Sequence, residues 1–154
     1  MTDENPLRGD PPPLPKGVSL RLYSMEYCPF AERVRIALNL KGIQYDVINC
    51  HLYKKPKFLL EANPVAAAVP VLLHEDLTIY ESLICIDYID AAFPDGKKLF
   101  PSNPGEKAKA QLLVANFSNQ VIPLYYKDLF QRTEELRTKL LDAVHVHVES
   151  ELKN

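Results

Sequence analysis

Cysteine is scarce in this chain: Cys28, Cys50 and Cys85 are the only three among 154 residues. Three is too few for a disulfide framework and odd in number, so the thiols read as free and the compartment as a reducing one. The expected localisation is cytoplasmic. An excess of one charge sign is also missing. Eighteen Lys and Arg against 20 Asp and Glu leave a net charge of -2, which offers no global attraction to nucleic acid or to an anionic membrane. No apolar run is long enough to span a bilayer. The opening residues, Met1-Thr2-Asp3-Glu4-Asn5, are acidic and lack the apolar core of a signal peptide. No internal repeat is visible. What is there, 47% apolar and 25% charged residues, suits one globular domain, or one small domain plus part of another.

Proline is the conspicuous presence, and it is concentrated at the start. Residues 1–17 form a proline-rich N-terminal arm in which Pro11-Pro12-Pro13-Leu14-Pro15 is expected to be extended, as in polyproline II. The arm reads as a stiff segment rather than a ligand for an SH3-type domain.

Beyond Gly17 the apolar spacing alternates between strand and helix periods. Leu20-Arg21-Leu22-Tyr23 predicts a strand. Phe30 to Leu40 predicts a helix with Val34, Ala37, Leu38 and Lys41 on one face, Arg33 and Arg35 turned outward, and Gly42 as its stop. Tyr45-Asp46-Val47-Ile48 predicts a second strand, and the order strand, helix, strand suggests a parallel βαβ unit. Lys57 to Ala62 is a short helix ended by Asn63-Pro64. Val71-Leu72-Leu73 and Leu77-Thr78-Ile79-Tyr80 form a hairpin around His74-Glu75-Asp76. Ser82 through Phe93 is a helix with Ser82 as its N-cap. The pattern is β-α-β-α-β-β-α over residues 18–93. Residues 94–105, rich in Pro, Gly and Asn, read as a linker. Residues 106–154 are helical in pattern, with Pro123 expected to kink or interrupt the first helix. Two or three helices make only a partial bundle. His145 and His147, two apart in a helix, do not share a face and are not a metal pair.

The chemistry points to Cys28. In Tyr27-Cys28-Pro29-Phe30 it stands at the start of a helix. Unpaired N–H groups and the positive end of the macrodipole there favour a thiolate, which is the nucleophilic form. Cys85, among Leu83, Ile84 and Ile86, reads as core, while Cys50 follows a strand end and is a candidate for exposure. Ala31 occupies the place where a Cys-x-x-Cys motif would carry its second thiol, so the expected chemistry is monothiol.

Several stretches together resemble the omega-class glutathione transferases: Leu22-Tyr23-Ser24-Met25, Tyr27-Cys28-Pro29-Phe30-Ala31-Glu32-Arg33, Lys41-Gly42-Ile43, Lys55-Pro56, Asn63-Pro64, Val69-Pro70-Val71-Leu72 and Tyr80-Glu81-Ser82. The proline-rich arm is a further omega feature. The resemblance implies an α/β thioredoxin-like N-terminal domain followed by an all-α C-terminal domain. It also implies a glutathione site. Cys28 matches the catalytic cysteine that forms a mixed disulfide with glutathione, and Phe30 the aromatic residue after the Cys-Pro step. Lys55 matches a lysine that reaches a glutathione carboxylate. Val69 matches the residue whose backbone pairs with the cysteinyl backbone, and Pro70 the cis-proline. Glu81 and Ser82 match the pair that holds the γ-glutamyl end.

The implied function is glutathione-dependent thiol transfer with glutathione as co-substrate and no metal, acting on small disulfides or electrophiles, with dehydroascorbate reduction as an associated activity. The implied assembly is a homodimer, or a heterodimer with a full-length subunit. Two departures stand out. Val65-Ala66-Ala67-Ala68 precedes Val69-Pro70 where the family pattern has a glycine and one residue fewer. The sequence also ends at Asn154, where omega enzymes continue through several more helices. Hence the expectation of a C-terminally shortened form, with a non-catalytic glutathione-site or regulatory subunit as the alternative. Chloride-channel-like relatives share a Cys-Pro-Phe start on the same fold, but Ala31-Glu32-Arg33 and Glu81-Ser82 fit the omega pattern better.

Overall fold

A computed structural model describes residues 9–51, 53–131 and 133–152. The first eight residues of the arm and the side chain of His147 lie outside the described residues. The chain packs as two compact units, Met1–Leu99 and Phe100–Asn154.

The first unit runs β1 (Leu20–Ser24), α1 (Pro29–Leu40), β2 (Asp46–Asn49), α2 (Lys57–Ala62), β3 (Val71–His74), β4 (Leu77–Tyr80) and α3 (Ser82–Ala92). The four strands form one sheet in the order β2-β1-β3-β4. β1 and β2 are parallel, as the crossover through α1 requires, while β1–β3 and β3–β4 are antiparallel. This is the thioredoxin-like arrangement that the resemblance implies.

Side chains alternate across the strands and sort into two buried clusters. Leu20 and Leu22 of β1 and Leu72 of β3 pack with Val34, Ala37 and Leu38 of α1 and Cys85 and Ile89 of α3. Tyr23 of β1 and Val71 of β3 pack with Phe58 and Leu59 of α2 and with Cys28, Ala31, Cys50 and Val69. Arg21, two residues before Tyr23 on β1, is also buried, and its Nε donates to Asp46 Oδ2 at 2.7 Å. Arg21 and Asp46 are register partners on adjacent strands, so the ion pair is a cross-strand pair.

Helix ends follow local chemistry. After α1, Gly42 takes φ +66°, its N–H bonds the Asn39 carbonyl at 3.0 Å, and Ile43 N–H bonds the Leu38 carbonyl at 3.0 Å. This left-handed stop with its double bond is the glycine-terminated helix end that the sequence announces. Lys41, the buried C-cap of α1, sends Nζ to Asp90 Oδ1 at 2.9 Å and to the Phe93 carbonyl at 2.8 Å. It therefore closes the C-terminal end of α3.

Three local expectations are corrected. Ser82 is the first residue of α3 rather than its N-cap, which is Glu81. Arg33 and Arg35 are both half-buried rather than turned outward: Arg33 reaches across to Ser82, and Arg35 to the Glu26 carbonyl. Cys50 is 3% exposed rather than open: its N–H bonds the Ser24 carbonyl at 2.7 Å, extending the β1–β2 ladder by one residue, and it packs in the cluster of Tyr23, Phe58 and Leu59.

The second unit holds α4 (Pro104–Gln131) and α5 (Glu134–Leu152), packed on each other. Asn103 caps α4, its Oδ1 accepting the N–H groups of Gly105 at 2.8 Å and Glu106 at 3.2 Å. Pro123 lies inside α4 and does not end it. A proline removes one backbone bond, at about 3 kcal/mol, and the long ladder on both sides carries the helix through. No described helix is long and apolar enough to cross a membrane.

Candidate active site

The start of α1 places Cys28. Pro29 is the first helical residue, where its fixed φ and missing N–H are harmless. Cys28 is the N-cap, extended at φ −85° and ψ 114°, with no side-chain cap bond. Its carbonyl accepts Glu32 N–H at 2.9 Å, and its own N–H turns back to the Met25 carbonyl at 3.1 Å. The thiol is free, 5% exposed, and sits at the electropositive end of a 12-residue helix.

A pocket of about 170 Å³ is lined by Phe30, Asn63, Ala66, Ala68, Val69, Pro70, Glu81 and Ser82; Cys28 is not among the lining residues. That volume takes part of a ligand, since whole drug-sized molecules need roughly 300 Å³ or more. Cys28 is tied to the pocket through the apolar cluster it shares with Phe30 and Val69. Five residues named from the sequence therefore meet here: Phe30, Val69, Pro70, Glu81 and Ser82. They come from the start of α1, the approach to β3 and the start of α3. Lys55 is not among the lining residues; it is exposed, just ahead of α2.

Each wall has a local cause. The Val69–Pro70 peptide is cis. Glu81 takes φ +69°, a region uncommon for any residue but glycine. Such a backbone is found where surrounding structure over-determines it, as at binding sites. Ser82 is 6% exposed, and Arg33 Nη1 donates to its Oγ at 3.4 Å. The Arg33 guanidinium also lies 5.2 Å from the Phe30 ring centre, a cation–π distance. Burial pulls the Arg33 pKa down, and negative charge on Cys28 works in the opposite direction. A half-buried cation thus stands behind two lining residues of the pocket, Phe30 and Ser82.

Burial pushes Cys50 up to about 11 and Cys85 up to about 12, so both stay protonated at neutral pH and neither is an efficient nucleophile.

Arg33 and Asn63 were not identified as site residues from sequence. The signal for Arg33 was hidden by its helical position next to Glu32 and Arg35, where charge ordinarily means solvent. For Asn63 the Asn-Pro step signalled a turn, but not that its carboxamide would be 2% exposed at a pocket wall.

Residues 22–98 match the family described as "Glutathione S-transferase, N-terminal domain". The chain is 44% identical over 125 residues to glutathione S-transferase omega-1 of Sus scrofa, covering 80% of this chain and 50% of that protein. Among solved structures, omega 3C glutathione transferase from Trametes versicolor superposes with TM-score 0.74 at 28% identity, covering 86% of this chain and 57% of that one. A rice glutathione transferase solved in complex with glutathione superposes with TM-score 0.65 at 30% identity, covering 69% and 49%. The chain spans about half the length of the curated relatives it matches.

Proposed function

The chain belongs to the glutathione S-transferase family, with omega-class proteins among its relatives, and from that premise we propose that it is a glutathione-dependent thiol transferase working through Cys28. The observation that carries the reading is the pairing of a thiol at the α1 N-terminus with a pocket lined by Phe30, Val69, Pro70, Glu81 and Ser82.

The proposed chemistry is monothiol exchange. The Cys28 thiolate attacks the glutathionyl sulfur of a mixed disulfide, the S–S bond breaks, and the substrate leaves as a thiolate that takes a proton. Cys28 then carries glutathione. A second glutathione thiolate attacks that sulfur, releasing glutathione disulfide and the Cys28 thiolate. The net change is RSSG plus GSH to RSH plus GSSG, two electrons passing to the substrate. Dehydroascorbate reduction uses the same two glutathione equivalents and is part of the proposal.

Binding follows from the pocket walls. Glu81 accepts from the α-ammonium of glutathione, and Ser82 with the first N–H groups of α3 donates to its α-carboxylate. Arg33 holds the Ser82 hydroxyl from behind. The Val69 backbone pairs with the cysteinyl backbone of the ligand in the manner of strand addition. Lys55 supplies a point charge to the glycyl carboxylate from the rim. A dimer and a cytoplasmic location belong to the same proposal.

The test is turnover of a glutathione mixed disulfide by the purified chain and by Cys28→Ser. The expected result is loss of about a thousandfold or more in rate, because a serine hydroxyl is a far weaker nucleophile than a thiolate. Unchanged activity would sink the reading. Retention of the parent protein on immobilised glutathione without turnover would favour the non-catalytic, regulatory-subunit alternative.

A further inference from the structure

Where the family pattern carries a glycine and one residue fewer, residues 65–68 of this chain form a loop held by one side chain. Asn63 Oδ1 accepts Ala66 N–H at 3.1 Å, and Asn63 Nδ2 donates to the Ala68 carbonyl at 3.0 Å. The Asn63 main-chain carbonyl takes Ala67 N–H at 2.7 Å, and Asn63 N–H is anchored on the Leu59 carbonyl at 3.0 Å. Both carboxamide atoms and both main-chain groups are therefore committed, in a residue that is 2% exposed. Between the clamped ends Ala67 sits at φ +48°, where an L side chain costs about 1–2 kcal/mol. The three bonds from the loop to Asn63 hold an alanine in a conformation that a glycine would adopt freely. The next residue after the clamp is Val69, and Asn63, Ala66, Ala68 and Val69 all line the same pocket.

We propose that Asn63 is a positioning residue for glutathione: by clamping Ala66 and Ala68 it fixes the Val69 backbone that meets the ligand, and so sets affinity without entering the chemical step. The inference rests on the glutathione reading above. Its consequence is a separation of effects. Cys28 is held by its own turn and helix start, whereas the Val69 wall of the pocket is held by the clamp.

Asn63→Asp tests this. It keeps an acceptor for Ala66 N–H but turns a second oxygen toward the Ala68 carbonyl, so one bond becomes a repulsion. KM for glutathione should rise about tenfold, the scale of one lost buried hydrogen bond left with an unsatisfied partner. The kcat and the rate of Cys28 alkylation by iodoacetamide should stay within about twofold, the signature of lost binding rather than lost chemistry. Ala67→Val approaches the same loop without touching Asn63, since a β-branched residue is expelled from positive φ, and should reproduce the KM effect if Asn63→Asp fails to fold. An unchanged KM in the folded variants, or a parallel fall in kcat and alkylation rate, overturns the proposal. A parent protein whose turnover shows no dependence on glutathione overturns the underlying reading instead.

Discussion

The two sides of the sheet invite comparison because they are built alike and end differently. On one side Leu22, Leu38, Leu72 and Ile89 close around Cys85; on the other Tyr23, Phe58, Leu59 and Val71 close around Cys50 and Cys28. The first side is sealed at its end. The fully buried Lys41 side chain joins Asp90 and the Phe93 carbonyl, and a Cβ on Gly96 would come within 3.1 Å of the Lys41 carbonyl oxygen. Asp90 Oδ1 also takes Leu99 N–H at 2.9 Å, fastening the segment that leaves α3. The second side is left open where α1 begins, and there the pocket lies. The buried thiols thus differ in their surroundings: Cys85 is enclosed by apolar walls, whereas Cys28 stands at a helix start and packs with Val69 and Phe30, which line the pocket.

The largest effect on this comparison should come from breaking the seal. Asp90→Ala leaves the Lys41 ammonium buried without its counter-charge and should destabilise the fold by about 3–5 kcal/mol in urea titration. Lys41→Met should cost less, because Asp90 is 15% exposed in its side chain and keeps the Leu99 N–H. Equal costs would mean that the pair is not what closes this side.

Alkaline stability sharpens the contrast between thiols. Cys50 and Cys85 are held protonated up to about 11 and about 12, against an ordinary value of 9.0 that unfolding restores. Above pH 9 the unfolded chain releases thiol protons that the native chain keeps, so stability should fall as pH rises from 9 toward 12. Below 9 their contribution is complete and flat. Cys50→Ala should make the decline shallower in denaturant titrations across that window, and an identical slope would remove Cys50 from the account.

The smallest effect concerns the loop of the open side. Ala67→Gly relieves the positive φ and should stabilise the fold by up to about 1 kcal/mol, with part of the gain lost to glycine's greater freedom when unfolded. A loss of stability would show that the Ala67 methyl group matters more than its backbone.

Much of this was legible in the chain. Val34, Ala37 and Leu38 recur at helical spacing and do share the buried face of α1, and Lys41, the C-cap that follows, is buried as well. Gly42 stops that helix in the left-handed conformation expected of it. Other features were legible only in part. Ser82 reads as a cap because serine favours that position, but the structure gives the cap to Glu81 and sets Ser82 inside the helix, where it receives Arg33. Propensity describes a residue's neighbours along the chain, and both Arg33 and Asn63 answer to neighbours across space.

Sequence alone determined the order of elements, the helix start beneath Cys28 and, from the motif around it, the family. Those depend on local periodicity, capping and turn chemistry, all of which act within a few residues. The resemblance grouped Phe30, Val69, Pro70, Glu81 and Ser82; the tertiary structure set them around one pocket, added Asn63 and left Lys55 off its lining. It does so because the strand order β2-β1-β3-β4 places the entry to β3 and the exit from β4 alongside the start of α1. Contacts between residues so distant in sequence are specified by how the sheet buries its two faces, and no local pattern encodes them.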